Sequence, residues 1–300
     1  MWNKNLVRTS CWGTLLALMV IPMVSMAEPA VADATAKEEL ARARICTAKA
    51  GNNYHQFGLK LKERLKGLVD VEVLATLGSW ENLELIDDNP RRCDAIIAQE
   101  DAYTLYRFEK TKSDLTMDRT ATLFHEYAHL VCGRGVKANS LAELDPESTE
   151  IVVNKYGSGS YITWRLFRRL NPEHKKYKIL EKNVDEAMLR ILDMGRPACF
   201  FYVSGIGGNT LGEANSVFGD QLKLISVHDP KQERPVGSEK RQIYRSAQLP
   251  AARYPKLAPK GVKTHSVSAV FFTSPEWKAR HPKASQKLSS ALLSLIKEGR

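Results

Sequence analysis

Beyond its first 27 residues the sequence lacks any apolar run approaching the ~20 residues that a helix needs to cross a bilayer. It also lacks a pair of cysteines in Cys-x-x-Cys spacing, which argues against a redox centre or a zinc knuckle. Short-period repeats and low-complexity tracts are missing as well. These absences favour a soluble mature protein of about 270 residues, enough for one large domain or two of ordinary size.

The N-terminus has the three parts of a secretory signal peptide. Lys4 and Arg8 form a basic region, residues 11–24 are almost wholly apolar, and Ser25-Met26-Ala27 supplies small residues at a cleavage site. The apolar run is shorter than a membrane anchor requires, and Cys11 lies at its start instead of after it, which argues against lipid attachment there. We therefore predict that residues 1–27 are a signal peptide and that the mature protein is exported to the periplasm.

Four cysteines remain after this cleavage, and an oxidising compartment permits them to form disulfides. In a chain of this length, four cysteines are more often buried thiols or a single bridge than a disulfide framework. The sequence leaves the pairing open among Cys46, Cys93, Cys132 and Cys199.

The net charge of +10 is concentrated near the C-terminus, because residues 231–300 contain 15 Lys and Arg against 4 Glu. This basic quarter is either a solvated cationic face or a docking surface for anionic lipid, cell wall or a membrane partner. Nucleic acid is not an expected partner, since the exported chain has no recognisable nucleic-acid-binding module.

The hydrophobic pattern from residue 42 onward alternates between short strands and helices, which is typical of an α/β fold with mainly parallel sheets. A first set has strands at 43–47, 71–76 and 94–99, and a second has strands at 151–154, 177–180 and 198–203. Two sets predict two lobes with a cleft between them. Residues 229–263, rich in proline and charge, are interpreted as a loose return connection.

Turns after parallel strands gather at the carboxyl ends of those strands, where ligands of open α/β sheets bind. Small residues in such a turn let backbone N–H groups approach a ligand, and the following helix start favours negative charge. The sequence has three turns of this kind, namely Gly51-Asn52-Asn53, Gly78-Ser79 and Gly157-Ser158-Gly159-Ser160. In the second of them, Ser79 is expected to cap the helix that follows.

Seven short segments follow one another along almost the whole mature chain. They are Gly51-Asn52-Asn53-Tyr54, Gly78-Ser79-Trp80-Glu81-Asn82-Leu83, residues 94–103, Ser140-Leu141-Ala142-Glu143-Leu144, Gly157-Ser158-Gly159-Ser160, Ser204-Gly205-Ile206-Gly207-Gly208-Asn209 and Leu249-Pro250-Ala251-Ala252-Arg253-Tyr254-Pro255. In this order and combination, they resemble the TAXI-type solute-binding subunits of TRAP transporters. The chain departs from that family where Thr47-Ala48-Lys49-Ala50 replaces a turn rich in glycine and threonine, and where Ala252 replaces a usual glycine.

The resemblance implies a two-lobe periplasmic-binding-protein type II fold, with each lobe a mainly parallel sheet flanked by helices. It also implies a small carboxylated solute, such as glutamate or a dicarboxylate, in the cleft. We expect residues 28–130 and 226–300 to form lobe 1 and residues 131–225 to form lobe 2. The candidate ligand-binding residues are Lys49, Asn53, Tyr54, Ser79, Gln99, Asp101, Ser158, Gly159, Ser160 and Asn209.

One motif supports a different class of protein. His125-Glu126-Tyr127-Ala128-His129 matches the zincin signature, in which two histidines one helical turn apart bind zinc and the glutamate activates water. The alternative is a strand between the lobes, on which these histidines would lie about 13 Å apart, too far to share a metal. A zinc metallopeptidase therefore requires a helix at this segment.

We predict a binding protein that is not an enzyme, has no cofactor or metal and is a monomer. Its expected partners are a small anionic solute and either a TRAP membrane subunit or a sensor protein that reads ligand closure. Closure around the solute would draw on contacts from both lobes. The sequence does not separate uptake from signalling.

Overall fold

The computed structural model describes residues 39–193, 195–237 and 240–299. The predicted signal peptide, residues 1–27, lies outside the described residues. Across the described ranges, no helix is long and apolar enough to cross a membrane.

The chain begins with three βα units, which we call the first half. Its strands are parallel, with β1 in the middle. All five residues of β3 are buried, which accounts for its uninterrupted Ala-Ile-Ile-Ala-Gln sequence. The elements are β1 (Arg42–Cys46), α1 (Asn53–Arg64), β2 (Asp70–Leu74), α2 (Ser79–Asp87), β3 (Ala95–Gln99) and α3 (Glu100–Glu109).

A long strand then leads to a second group of parallel strands, which with its helices we call the second half. Two of its helices begin with side-chain caps: the Ser158 side chain accepts from the backbone N–H of Tyr161, and Asn183 and Glu186 form a reciprocal capping box. The long strand is β4 (Asp118–Gly133), and the second half comprises β5 (Glu150–Val153), α4 (Gly159–Leu170), β6 (Ile179–Glu181), α5 (Val184–Leu192), β7 (Ala198–Ser204) and α6 (Asn209–Val217).

The remaining elements return across the molecule. They are β8 (Leu222–Ile225), β9 (Arg245–Leu249), β10 (Val262–Thr273), α7 (Pro275–Arg280) and α8 (Pro282–Glu298). The prediction of a loose connection over residues 229–263 was wrong. This stretch contains β9 and buries Tyr244 and Tyr254, because its two aromatic side chains fill apolar space that a count of proline and charge does not reveal.

The strands lie in the order β2-β1-β3-β10-β4-β7-β5-β6, while β8 pairs with β4 and β9 with β10. The antiparallel strands β10 and β4 join the two parallel groups. On β4, Tyr127 lies opposite Ser266 of β10 and also opposite Ser204 of β7. The predicted α/β architecture with two mainly parallel groups is confirmed, and β4 passes from one group to the other at Tyr127.

Three clusters of buried apolar side chains stabilise this arrangement. One extends across both halves, one packs the first half against α8, and one lies in the second half. The last cluster also contains Leu249, Tyr254 and Leu257, which follow residue 226. The lobe boundaries at 130 and 226 therefore remain a prediction, because the return segment contributes to the core of the second half.

Among the described residues, one disulfide lies within the first half, and another joins β4 to the second half. Cys46 is bonded to Cys93 beside β1 and β3, and Cys132 of β4 is bonded to Cys199 of β7. Cys132 and Cys199 are also direct cross-strand partners. The expectation of buried thiols or a single bridge was wrong, because strand pairing brings together cysteines that are 47 and 67 residues apart in sequence.

Candidate functional site

The turn before α2 brings Ser79 to the end of β3. Gly78 adopts a φ of 127°, which a residue with a side chain rarely accepts, and it occupies the N-cap position of α2. Ser79 is therefore the first helical residue, and the prediction that it caps the helix was wrong. Its Oγ instead accepts a hydrogen bond of 3.1 Å from the backbone N–H of Gln99.

Gln99, Glu126 and Tyr54 form a polar group between β3, β4 and the start of α1. The Glu126 Oε2 atom accepts hydrogen bonds from the Tyr54 hydroxyl at 2.8 Å and from Gln99 Nε2 at 3.0 Å. Burial raises the pKa of Glu126 from 4.5 to about 7, and these two donors oppose the shift. Sequence reasoning selected Tyr54 and Gln99 for this site but considered Glu126 only as part of a zinc motif.

The serine-glycine turn of the second half lies directly against Gln99. A Cβ atom at Gly159 would lie 2.5 Å from Gln99 Oε1, so glycine is what permits this approach. Ser158 caps α4, and the Ser160 Oγ accepts a hydrogen bond of 2.9 Å from the backbone N–H of Val203. Both serine side chains thus have structural partners, while Gly159 makes the contact between the halves.

Asp101, which is also a predicted ligand-binding residue, is buried between the first half and the elements packed against it. It has no exposed surface, and its Oδ2 accepts hydrogen bonds from Thr163 Oγ1 at 2.6 Å and from the Tyr244 hydroxyl at 2.8 Å. Burial raises its pKa to about 6. Thr163 lies on α4 and Tyr244 on the return segment, so Asp101 connects the first half to both.

A pair of aromatic side chains adds a third contact between the halves. Tyr156 precedes the serine-glycine turn, and its ring meets the Trp80 ring edge-on at a centroid distance of 6.2 Å. Gly157, in the left-handed region with φ of 80°, turns the chain beside Trp80. The halves are therefore in a closed arrangement, in contact through aromatic, amide and carboxylate groups.

Three predicted ligand-binding residues are not part of this polar group. Lys49, Asn53 and Asn209 are exposed, and the hydrogen bonds of the described residues do not link their side chains to Gln99 or Glu126. The turn before Asn209 is fixed by Tyr254 instead, because the Tyr254 hydroxyl accepts a 2.8 Å hydrogen bond from the Gly207 N–H.

The segment with the zincin signature is extended, since residues 125–129 lie within β4. His129 is fully buried with Nε2 3.0 Å from the Tyr254 hydroxyl, and burial lowers its pKa to about 4. His125 is exposed. The segment thus does not form the helix that a shared zinc ion requires, and within the ranges that the structure describes no group of three His, Cys, Asp or Glu could hold a metal.

Comparison with known proteins gives a match only at the level of structure. No protein-family model and no curated protein sequence matches the chain. Lactococcal OpuAC in its closed-liganded conformation with glycine betaine matches with a TM-score of 0.51 at 11% identity, over 86% of this chain and 96% of that chain. The AvGluR1 ligand-binding domain in complex with glutamate has a TM-score of 0.51 at 12% identity, over 87% and 91% of the two chains.

The periplasmic aliphatic sulphonate binding protein SsuA from Escherichia coli matches with a TM-score of 0.50 at 8% identity, over 86% of this chain and 73% of that chain. Identities this low show the fold alone. The predicted two-lobe periplasmic-binding-protein fold is thereby confirmed.

Proposed function

We propose that this chain is an exported solute-binding protein, not an enzyme, and that it captures a small carboxylated solute between its two halves. The observation that supports this most strongly is the contact of Gln99 with Gly159, where turns from both halves meet. A solute held there would touch both halves only when they are closed, and its binding free energy would favour the closed state.

The helix starts around Gln99 are suited to the carboxylate of such a solute. Tyr54 lies in the first turn of α1, Ser79 begins α2 and Gly159 begins α4. Free backbone N–H groups and the positive end of the helix dipole favour an anion at each of these positions. A glutamate-like acid or a dicarboxylate is the solute class that we propose.

The proposed cellular role is periplasmic delivery of this solute to a TRAP-type membrane subunit. The predicted signal peptide and the resemblance of the seven segments to TAXI-type subunits support this role. The two disulfides agree with an oxidising compartment.

A thermal-shift screen of amino acids and dicarboxylic acids, followed by calorimetry of the best binder, tests the proposal. At 100 times the dissociation constant, a bound solute raises the unfolding free energy by about 2.7 kcal/mol. A screen in which no small acid shifts the melting temperature would contradict the proposed function.

The variant Gly159→Ala places a methyl group against Gln99 Oε1 and therefore hinders closure. We expect its affinity for the best binder to fall about tenfold, equivalent to about 1.4 kcal/mol. Gly135→Ala is the matched control, because its added Cβ would meet no atom within 4 Å. Equal loss in both variants would exclude closure at Gly159 as the cause.

A further inference from the structure

The polar group at the junction of the halves has more acceptors than donors. Gln99 is 2% exposed, and its Oε1 is buried without a hydrogen-bond partner among the described residues. Both donors to Glu126 reach the same oxygen, Oε2, and the hydrogen bonds of the described residues include none to its Oε1. Gln99 Oε1 is the buried one of these two acceptors, and leaving it unpaired is unfavourable because it has lost its hydrogen bonds to water without gaining others.

The same group contains no cation. Within the described parts of the chain, no Lys or Arg forms an ion pair with Glu126 or Asp101. The electrostatic effect of Asp101 on Glu126 is repulsive, and the candidate cation Lys49 is exposed. Glu126 is partly exposed, but burial still disfavours its charge, and no positive side chain among the described residues offsets that cost. Among the described residues, the polar group therefore has no side-chain cation and no side-chain donor to Gln99 Oε1 or Glu126 Oε1.

We infer that the captured solute carries an amine cation and that Glu126, together with Gln99 Oε1, receives it. This inference rests on the proposed function and narrows its solute class to amino acids and related zwitterions. The ammonium group supplies the cation and the N–H donors that these two acceptor oxygens lack, while the solute carboxylate faces the helix starts.

Glu126 is suited to this role because its position is fixed while one oxygen remains available. Tyr54 and Gln99 hold Oε2 from two different elements, and both donors belong to the first half. Each acid accepts two donors on one oxygen, but Glu126 is partly exposed, whereas Asp101 is fully enclosed together with its unpaired Oδ1. Gln99 and Gly159 have to move apart before a solute can enter. The amine therefore binds while the halves are separated, and the halves then close around it.

Matched pairs of compounds that differ by the amine test this inference: glutamate with glutarate, aspartate with succinate, and leucine with 4-methylpentanoate. Each is titrated calorimetrically into the wild-type protein, Glu126→Gln and Glu147→Gln. The first substitution keeps the size of the side chain and an acceptor oxygen but removes the charge. Glu147 is an exposed carboxylate in the second half and serves as the control.

We expect the wild-type protein and Glu147→Gln to bind at least one amino acid more than ~30-fold more tightly than its amine-free partner. In Glu126→Gln this preference falls below about threefold, while far-UV circular dichroism shows that the variant is folded. Equal affinities within each pair in the wild-type protein would overturn the inference and leave solute capture intact, as would a preference that survives in folded Glu126→Gln. Binding of no compound at all would overturn both this inference and the proposed function.

Discussion

Asp101 and Glu126 are two acids near the same junction, and their surroundings differ in a way that separates a structural role from a binding role. Asp101 accepts hydroxyl donors from the second half and the return segment, and it is fully enclosed. Glu126 accepts donors from the first half alone and keeps some exposed surface. Donor number does not distinguish them, since each has two. What differs is the origin of the donors and access to solvent.

Asp101 therefore links the first half to α4 and to the segment that contains Tyr244. The side chain of Glu126, in contrast, is positioned by donors from the first half alone. Burial raises the pKa of both acids, to about 6 for Asp101 and about 7 for Glu126. In both cases ionisation opposes folding, and we propose that the solute offsets this penalty at Glu126. Substitutions that affect one acid and not the other can test this comparison.

Asp101→Ala should have the largest effect on stability. It leaves the Thr163 and Tyr244 hydroxyls without their acceptor and opens a small cavity between α3 and α4. We expect the free energy of unfolding to fall by about 2–4 kcal/mol, measured by urea denaturation at pH 7. Asp101→Asn keeps an acceptor oxygen and should retain most of the stability. An Asp101→Ala protein as stable as the wild type would show that Asp101 is not a link.

Glu126→Gln should raise the free energy of unfolding in the absence of solute, whereas Asp101→Ala lowers it. The substitution removes a charge that burial disfavours, so at pH 8 the free energy of unfolding should rise by about 1–2 kcal/mol. This is less than the whole pKa shift of Glu126 would give, because the side chain is partly exposed and solvent screens its charge. Thermal and urea denaturation of the variant measure this gain. A loss of stability would show that ionised Glu126 has a positive partner in the folded protein.

The gain in Glu126→Gln should depend on pH. The pKa of Glu126 is higher in the folded protein, about 7, than in the unfolded chain, about 4.5. The wild-type protein therefore has the full contribution of protonated Glu126 to its stability below about pH 4.5 and loses it as the pH rises through about 7. The difference between variant and wild type should therefore be largest above pH 7 and small near pH 5. Denaturation midpoints of both proteins at pH 5, 6, 7 and 8 measure it. A difference independent of pH would assign the gain to packing instead of charge.

Lys49→Ala should have the smallest effect. The side chain is exposed, and no hydrogen bond among the described residues joins it to the polar group, so solute affinity should change less than about twofold in calorimetry. A loss of about tenfold would restore Lys49 as a ligand-binding residue and supply the cation that the junction lacks.

Periodicity and turn composition were sufficient to predict the repeated βα units and the meeting of small-residue turns. Both follow from local rules, because strand-helix alternation and turns at strand ends are determined within a few residues. Residues 125–129 illustrate the limit, since helical and strand spacing were both consistent with the segment. The pairing of β4 with β10 and β7, which come from distant parts of the chain, determines that it is a strand.

The same limit applies to the site. Tyr54, Gln99 and Gly159 were predicted from the resemblance to TAXI-type subunits, but no local pattern around Glu126 indicates that it lies between them. Tyr244 contacts Asp101 across 143 residues, from a segment interpreted as a loose connection. Such contacts depend on the tertiary arrangement of the sheet, which spacing along the chain does not specify.

Hydrogen exchange measured with and without the best-binding amino acid tests solute capture between the halves most directly. Two segments, residues 97–103 at the end of β3 and residues 156–162 at the start of α4, lie on opposite sides of the junction. We predict that bound solute slows amide exchange in both segments together, and that Glu126→Gln removes this protection at the same solute concentration. Slower exchange in one segment alone, or in neither, would contradict capture between the two halves.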